Sequence, residues 1–287
     1  MEKTEILYTT ALNQNGDLIH VEYAEKGNKY YCPLCKQMFI LRKSGKTGKG
    51  SRRPHFAHNE VTPNCTPEGV LHYSFKKMLI SLLEKYKSEN KNLIMSWKCS
   101  SCGHTNSVFL LQRVASIKGE YDLGICRPDI ALLDENNKVI AVIEIVVSHF
   151  PEENVLQYYK ENRIVLIQIN LETEDELLKV EEKISNPNIV DFCLNPQCED
   201  YGNYDTNRTI YYEKAVCSNR LHIIKKCFIG VESIFGKQRI MEFTDDEIEI
   251  AKSNGVNMMV KKGETMPRFI CIQCQRFRNQ FSHSKRF

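Results

Sequence analysis

The chain has 287 residues, 42% of them hydrophobic and 26% charged, which excludes a disordered polypeptide and supplies core for one large or two to three small domains. A formal net charge of only +3 excludes a nucleic-acid or membrane partner held by the field of the whole molecule; any such surface has to be a local patch. No N-terminal apolar run resembles a signal peptide and no stretch approaches a membrane span, so a cytoplasmic protein without a membrane partner is expected, in which twelve cysteines point to metal sites rather than disulfides.

Residues 1–66 read as a small, turn-rich module. Thr4–Asn13 and Leu18–Ala24 alternate as a hairpin around Asn15-Gly16. Cys32-Pro33-Leu34-Cys35 then offers two thiolates on one tight turn, and tetrahedral zinc needs two more nitrogen or sulfur ligands. His58 and Cys65 are the expected pair, with His55 as competitor to His58. Between these ligands lies a run with no acid: Arg42, Lys43, Lys46, Lys49, Arg52 and Arg53. Its Gly45-Lys46-Thr47 is not a P-loop, because the required first glycine would fall at Ile40 and no strand–loop–helix context surrounds it. The run reads as a solvated loop or, if the substrate is nucleic acid, as one whose Lys43, Lys46, Lys49, Arg52 and Arg53 contact the backbone.

Residues 67–190 read as an α/β core. A helix opens at Pro67 and runs to about Tyr86, with Val70, Leu71, Phe75, Met78, Leu79, Leu82 and Leu83 at helical spacing. Glu68, His72 and Lys76 share one of its faces. Trp97–Gly103 forms a second knuckle around Cys99 and Cys102. Phe109–Tyr121, Arg127–Leu133 and Val139–Val147 read as three strands, Pro151–Asn162 as a helix, Arg163–Leu171 as a fourth strand and Thr173–Ile184 as a further helix. That order gives a mostly antiparallel meander with one crossover. Asp129 and Glu144 are single acids in otherwise apolar strands. Such carboxylates are costly unless paired, and Mg²⁺ or Mn²⁺ is a fitting partner for hard oxygen donors.

Residues 191–287 read as a zinc-ribbon-like module with strands at Thr209–Val216 and Leu221–Val231, and a helix capped by Thr244-x-x-Glu247. Cys193 and Cys198 are expected to share a zinc with Cys99 and Cys102, with the C-terminal knuckle and His104 as competing partners. Cys271 and Cys274 take Cys217 as a third ligand. Arg220 stands where a second cysteine of that knuckle would be, so Cys227 or His222 completes the set.

Three motifs in order carry a resemblance: Tyr31-Cys32-Pro33-Leu34-Cys35 with His55-Phe56-Ala57-His58, then Glu68-x3-His72-x3-Lys76, then Arg127-Pro128-Asp129 with Ile143-Glu144-Ile145. Over residues 28–170 the chain resembles the competence protein CoiA-like group of PD-(D/E)XK nucleases. The resemblance implies a restriction-endonuclease-like α-βββ-α-β core flanked by zinc modules, Mg²⁺ held by Asp129 and Glu144, and Glu68 assisting from the first helix. It implies a metal-dependent DNA endonuclease, partnered by DNA and by other proteins of a DNA-processing or defence system. One departure stands out: the family's lysine or glutamine position is Val146. Lys76, Lys77, Lys160 or His149 would have to supply that polarity. The rival expectation is a zinc-ribbon adaptor that binds nucleic acid without hydrolysing it.

Overall fold

The computed structural model describes residues 6–43, 53–60, 65–201, 204, 206–217, 219–261, 266–274 and 276–278. Lys46, Lys49 and Arg52 of the basic run lie outside the described residues. The chain divides into two compact units, residues 1–193 and 194–287, so the N-terminal module and the α/β core belong to one unit.

The first unit opens with an antiparallel sheet of β1 (Thr10–Leu12), β2 (Leu18–His20), β3 (Tyr30–Tyr31), β4 (Met38–Arg42) and β5 (His55–His58), in the order β2-β1-β3-β4-β5. The β1–β2 hairpin turns at Asn15-Gly16 because the Asn13 side-chain oxygen accepts from the amides of Asn15 and Asp17, both at 2.9 Å, and Gly16 takes φ +84°. Ala11, Tyr30, Phe39 and Phe56 form its core together with Cys32, Cys65 and Val70.

Helix α1 (Pro67–Ser88) starts where the residues dictate. Thr66 accepts from the Gly69 amide at 3.1 Å and proline occupies the first turn. Its buried stripe contains Val70, Leu71, Phe75, Leu79 and Leu83, and also Ser74 and Lys76. Ser74 Oγ lies 2.6 Å from Thr10 Oγ, a buried bond that ties α1 to β1.

The expected strand Phe109–Tyr121 is two strands. β6 (Ile94–Lys98) and β7 (Thr105–Phe109) pair as a separate hairpin, and β8 (Ser116–Gly119) belongs to the main sheet. Between them the chain turns at residues 110–113, where the Gln112 amide donates to the Phe109 carbonyl and the Val114 amide to the Leu111 carbonyl. β9 (Ile130–Leu133) and β10 (Val139–Val146) follow, then α2 (Glu153–Glu161), β11 (Val165–Asn170), a 3₁₀ turn at Glu174–Lys179, α3 (Val180–Ser185) and β12 (Ile189–Val190). The helix expected over Thr173–Ile184 is thus a capped 3₁₀ turn followed by a short α-helix. The main sheet has the order β12-β11-β10-β9-β8, antiparallel throughout except for the parallel β10–β11 pair. The aliphatic run of β10 is explained by this position: α1 touches β10, Val142 packs among Tyr159 and Leu166, and Val142, Ile143 and Ile145 are all buried.

In the second unit β13 (Asn207–Val216), β14 (Ile223–Ser233) and β15 (Gly236–Ile240) form an antiparallel sheet. β15 was not expected; Gly236 at φ +105° makes its tight turn. Gly230 has no room for a side chain, since a Cβ would stand 2.4 Å from the Tyr211 ring. Helix α4 (Asp245–Ser253) carries the expected Thr244/Glu247 capping box, and β16 (Met258–Met259), β17 (Arg268–Cys271) and β18 (Arg276–Arg278) complete the unit. No described helix is long and apolar enough to cross a membrane.

Candidate active site and zinc centres

Among the described residues, cysteine and histidine side chains converge in three groups. In the first, Cys32, Cys35, His58 and Cys65 place all four ligand atoms within 4.8 Å of one another. Cys32 Sγ lies 3.2 Å from Cys65 Sγ, and Cys35 Sγ lies 3.2 Å from His58 Nε2. Tetrahedral zinc with bonds of about 2.0–2.3 Å would give ligand edges of about 3.5–3.8 Å, so small outward shifts seat the ion. Burial, and after it the neighbouring thiols, push the Cys65 thiol up to about 12. His55 is not in the group; its Nδ1 sits 2.9 Å from the Arg53 carbonyl oxygen.

The second group, in the same unit, gathers Cys99 and Cys102 from the β6–β7 turn with Cys193. Cys102 Sγ and Cys193 Sγ are 3.7 Å apart, and the neighbouring Trp97 Nε1 donates to the Phe192 carbonyl at 2.9 Å, which holds the two segments together. Cys198, expected as their fourth ligand, is a buried cysteine of the second unit. The third group lies in the second unit and joins Cys217, His222, Cys271 and Cys274, so His222, not Cys227, fills the gap left by Arg220. His222 Nδ1 stands 3.1 Å from Cys274 Sγ and 3.7 Å from Cys271 Sγ. Cys227 is instead fully buried against Met258. None of the twelve cysteines forms a disulfide, and the three groups have the donor chemistry of structural zinc.

The two sequence-selected acids meet at one end of the main sheet. Asp129 immediately precedes β9, and Glu144 lies near the end of its antiparallel neighbour β10. Asp129 Oδ2 accepts from the Ile145 amide at 2.9 Å and faces His72 Nε2 at 2.9 Å. Its Oδ1 accepts from Lys76 Nζ at 3.1 Å. Glu144 Oε1 accepts from the Tyr159 hydroxyl at 2.6 Å, and its Oε2 lies 3.5 Å from the Asp129 amide. A cavity of about 240 Å³ opens beside them, lined by His72, Asp129, Glu144, Val146, His149 and Phe150 among others.

The two carboxyls have opposite electrostatics. Burial raises Asp129, but the hydrogen bond and charge of His72, the Ile145 amide and Lys76 outweigh it and hold the carboxyl below its usual range. Glu144 is pushed up to about 7, chiefly by burial and then by the Asp129 charge, against a Tyr159 bond that pulls the other way. Glu144 is therefore a carboxyl the protein's own cations leave under-compensated. Burial opposes the Lys76 charge, but Glu120 and Asp129 more than restore it and raise its pKa.

Glu68 does not line the cavity. It lies one helical turn before His72, and its charge bears on Tyr8 beside the first cysteine group. Lys43 donates to the carbonyls of Val21, Glu22 and Ala24, and Arg53 pairs with the buried Glu174 at 2.9 Å, so these two cations of the basic run are engaged within the fold, while Arg42 at the end of β4 is exposed. Val146 lines the cavity at 4% exposure. Three participants were not singled out from the sequence: Glu120, which accepts from Lys76; Tyr159; and Cys126, whose thiol lies 3.6 Å from the Tyr159 hydroxyl. Compared with protein-family models, curated proteins and solved structures, the chain finds no match.

Proposed function

We propose that the Asp129–Glu144 site hydrolyses phosphodiester bonds in DNA with Mg²⁺ or Mn²⁺, on a restriction-endonuclease-like core. The observation that carries this is the under-compensated Glu144 beside Asp129 at the edge of an open cavity. Two hard carboxylates at one strand end fit a divalent cation that keeps most of its water ligands. Such an ion, when bound, supplies an acidified water and neutralises charge at the scissile phosphate.

The chain's own residues then have separable tasks. The Ile145 amide and His72 fix the Asp129 carboxylate. Tyr159 fixes Glu144 in one rotamer. Lys76 brings from α1, through its bond to Asp129 Oδ1, the positive charge that Val146 cannot offer from β10. The aliphatic Val146 keeps that wall of the cavity dry, which strengthens these interactions. The zinc centres are structural. A DNA-binding adaptor without turnover is the second reading, favoured by Val146 in the position where the resembled nucleases carry a polar side chain.

The test is cleavage of plasmid and single-stranded DNA with Mg²⁺ or Mn²⁺ by the wild type, Asp129→Asn and Glu144→Gln. Each substitution is expected to lower the rate by on the order of a thousandfold with zinc content unchanged. Cleavage that persists in both variants removes the proposal, and DNA binding without any cleavage by the wild type leaves the adaptor.

A further inference from the structure

The cavity has a second wall that the reaction outlined above does not use. Phe150 lines it, yet 67% of that residue is exposed to water. It lies between the end of β10 and the start of α2, directly before Pro151, whose ring restricts the backbone on both sides of the bond between them. The aromatic ring is thus presented on a constrained segment. It contributes little to the core, whose aromatic members, such as Tyr159 and Phe192, are fully buried. Arg127 lines the same cavity; its guanidinium bonds the Asp122 carboxylate at 2.8 Å, a pair with both partners well exposed and therefore weakly held. Ile125, at 54% exposure, stands two residues from Arg127.

An exposed aromatic residue and a cationic one lining the same cavity, in a site read as binding a phosphodiester, have one well-matched occupant: a nucleobase adjoining the phosphate. The ring offers a stacking face and the guanidinium meets the backbone. In a duplex both faces of each base are already covered by its neighbours, so only an unpaired base can lie on Phe150. We propose that Phe150 is a base-stacking residue and that it makes this site selective for single-stranded DNA. The inference rests on the phosphodiester reading of the cavity for its choice of ligand, but stacking can be measured without turnover.

Binding is followed by fluorescence anisotropy with Ca²⁺ in place of Mg²⁺, using a labelled single-stranded oligonucleotide, its duplex, and a version carrying abasic sites. The wild type is expected to bind the intact single strand on the order of tenfold more tightly than the abasic one. Phe150→Ala is expected to lose that margin and to bind intact and abasic strands alike, while Phe150→Trp retains it. In hydrolysis the same alanine variant raises KM on single strands by a similar factor and leaves kcat near the wild-type value. Equal affinity of wild type and Phe150→Ala for the intact strand overturns the inference, as does an equal loss on the intact strand, the duplex and the abasic strand. If the stacking pattern is found but no DNA is cleaved, the hydrolase reading fails and the stacking site stands. If cleavage is found and Phe150→Ala behaves as wild type on every strand, the hydrolase reading stands and the stacking site fails.

Discussion

At the scale of single residues, the site is a contest between burial and compensation. Asp129 has three donors and stays charged; Glu144 has one strong donor, Tyr159, and does not stay fully charged without help. Tyr159→Phe should therefore lower metal-dependent hydrolysis by about tenfold, the worth of one hydrogen bond to a charged group, with little change in melting temperature. An unaltered rate would show that Glu144 holds its position without the phenol. Lys76→Met removes the cation from Asp129 and leaves Glu120, itself largely exposed, free to move into water. We expect at least a hundredfold loss of rate with near-native urea stability, and a rate within threefold of wild type would transfer the charge-supplying role elsewhere. Asp129 and Glu144 were legible in the sequence because an acid inside an aliphatic run breaks the pattern. Glu120 was not, since it reaches Lys76 across 44 positions from a left-handed backbone conformation at φ +51°. Tyr159 was hidden because a tyrosine on an amphipathic helix reads as core, and here it is core with its hydroxyl put to use.

At the scale of elements, sequence signals were strong where they were local. Pro67, Asn15-Gly16 and Thr244-x-x-Glu247 each mark a boundary through chemistry local to a few residues, and each mark is found in the structure. The 109–121 segment reads as one strand because its turn, Leu110-Leu111-Gln112-Arg113, contains none of the glycine, proline, asparagine or aspartate that mark turns. Helix α4 illustrates a local cap that also acts at long range. Glu247 closes the capping box on the Thr244 amide and also takes both arms of the Arg208 guanidinium from β13, at 2.8 Å each. Burial raises the Glu247 carboxyl, but Arg208 and the Thr244 amide outweigh it and hold its pKa below the usual value. A lowered folded-state pKa means that the pair's stabilisation is present above the unfolded-state value and is lost as pH falls through the folded one. Urea unfolding of the second unit's probes should thus weaken on acidification below about pH 4.5. Glu247→Gln should cost about 3 kcal/mol at neutral pH and flatten that acid limb; an unchanged limb would assign it to other carboxyls.

At the scale of the whole molecule, cysteines and histidines gather into clusters with the donor set of structural zinc. Three groups of cysteine and histidine, two in the first unit and one in the second, predict about three zinc ions per chain by elemental analysis. Cys271→Ser should lower the count by one, and so should Cys32→Ser; a full complement in either variant would remove that group as a zinc site. The cysteine spacing disclosed most ligands, because a knuckle is a local structure. It could not decide among His222, Cys227 and the remaining partners, which only the pairing of β13 with β14 brings to a common point. The same spacing has a thermodynamic corollary in the first unit. Cys65, a member of the first group, is followed directly by Thr66, the cap of α1, and the first turns of α1 carry His72 and Lys76 to Asp129. The first cysteine group and the residues that place charge on Asp129 thus share one short stretch of backbone at the start of α1. Zinc and the divalent cation should accordingly show a reciprocal coupling free energy: stripping the first zinc weakens Mg²⁺ affinity, and saturating Mg²⁺ raises zinc affinity, read by competition with a chelator at equilibrium, by the same factor.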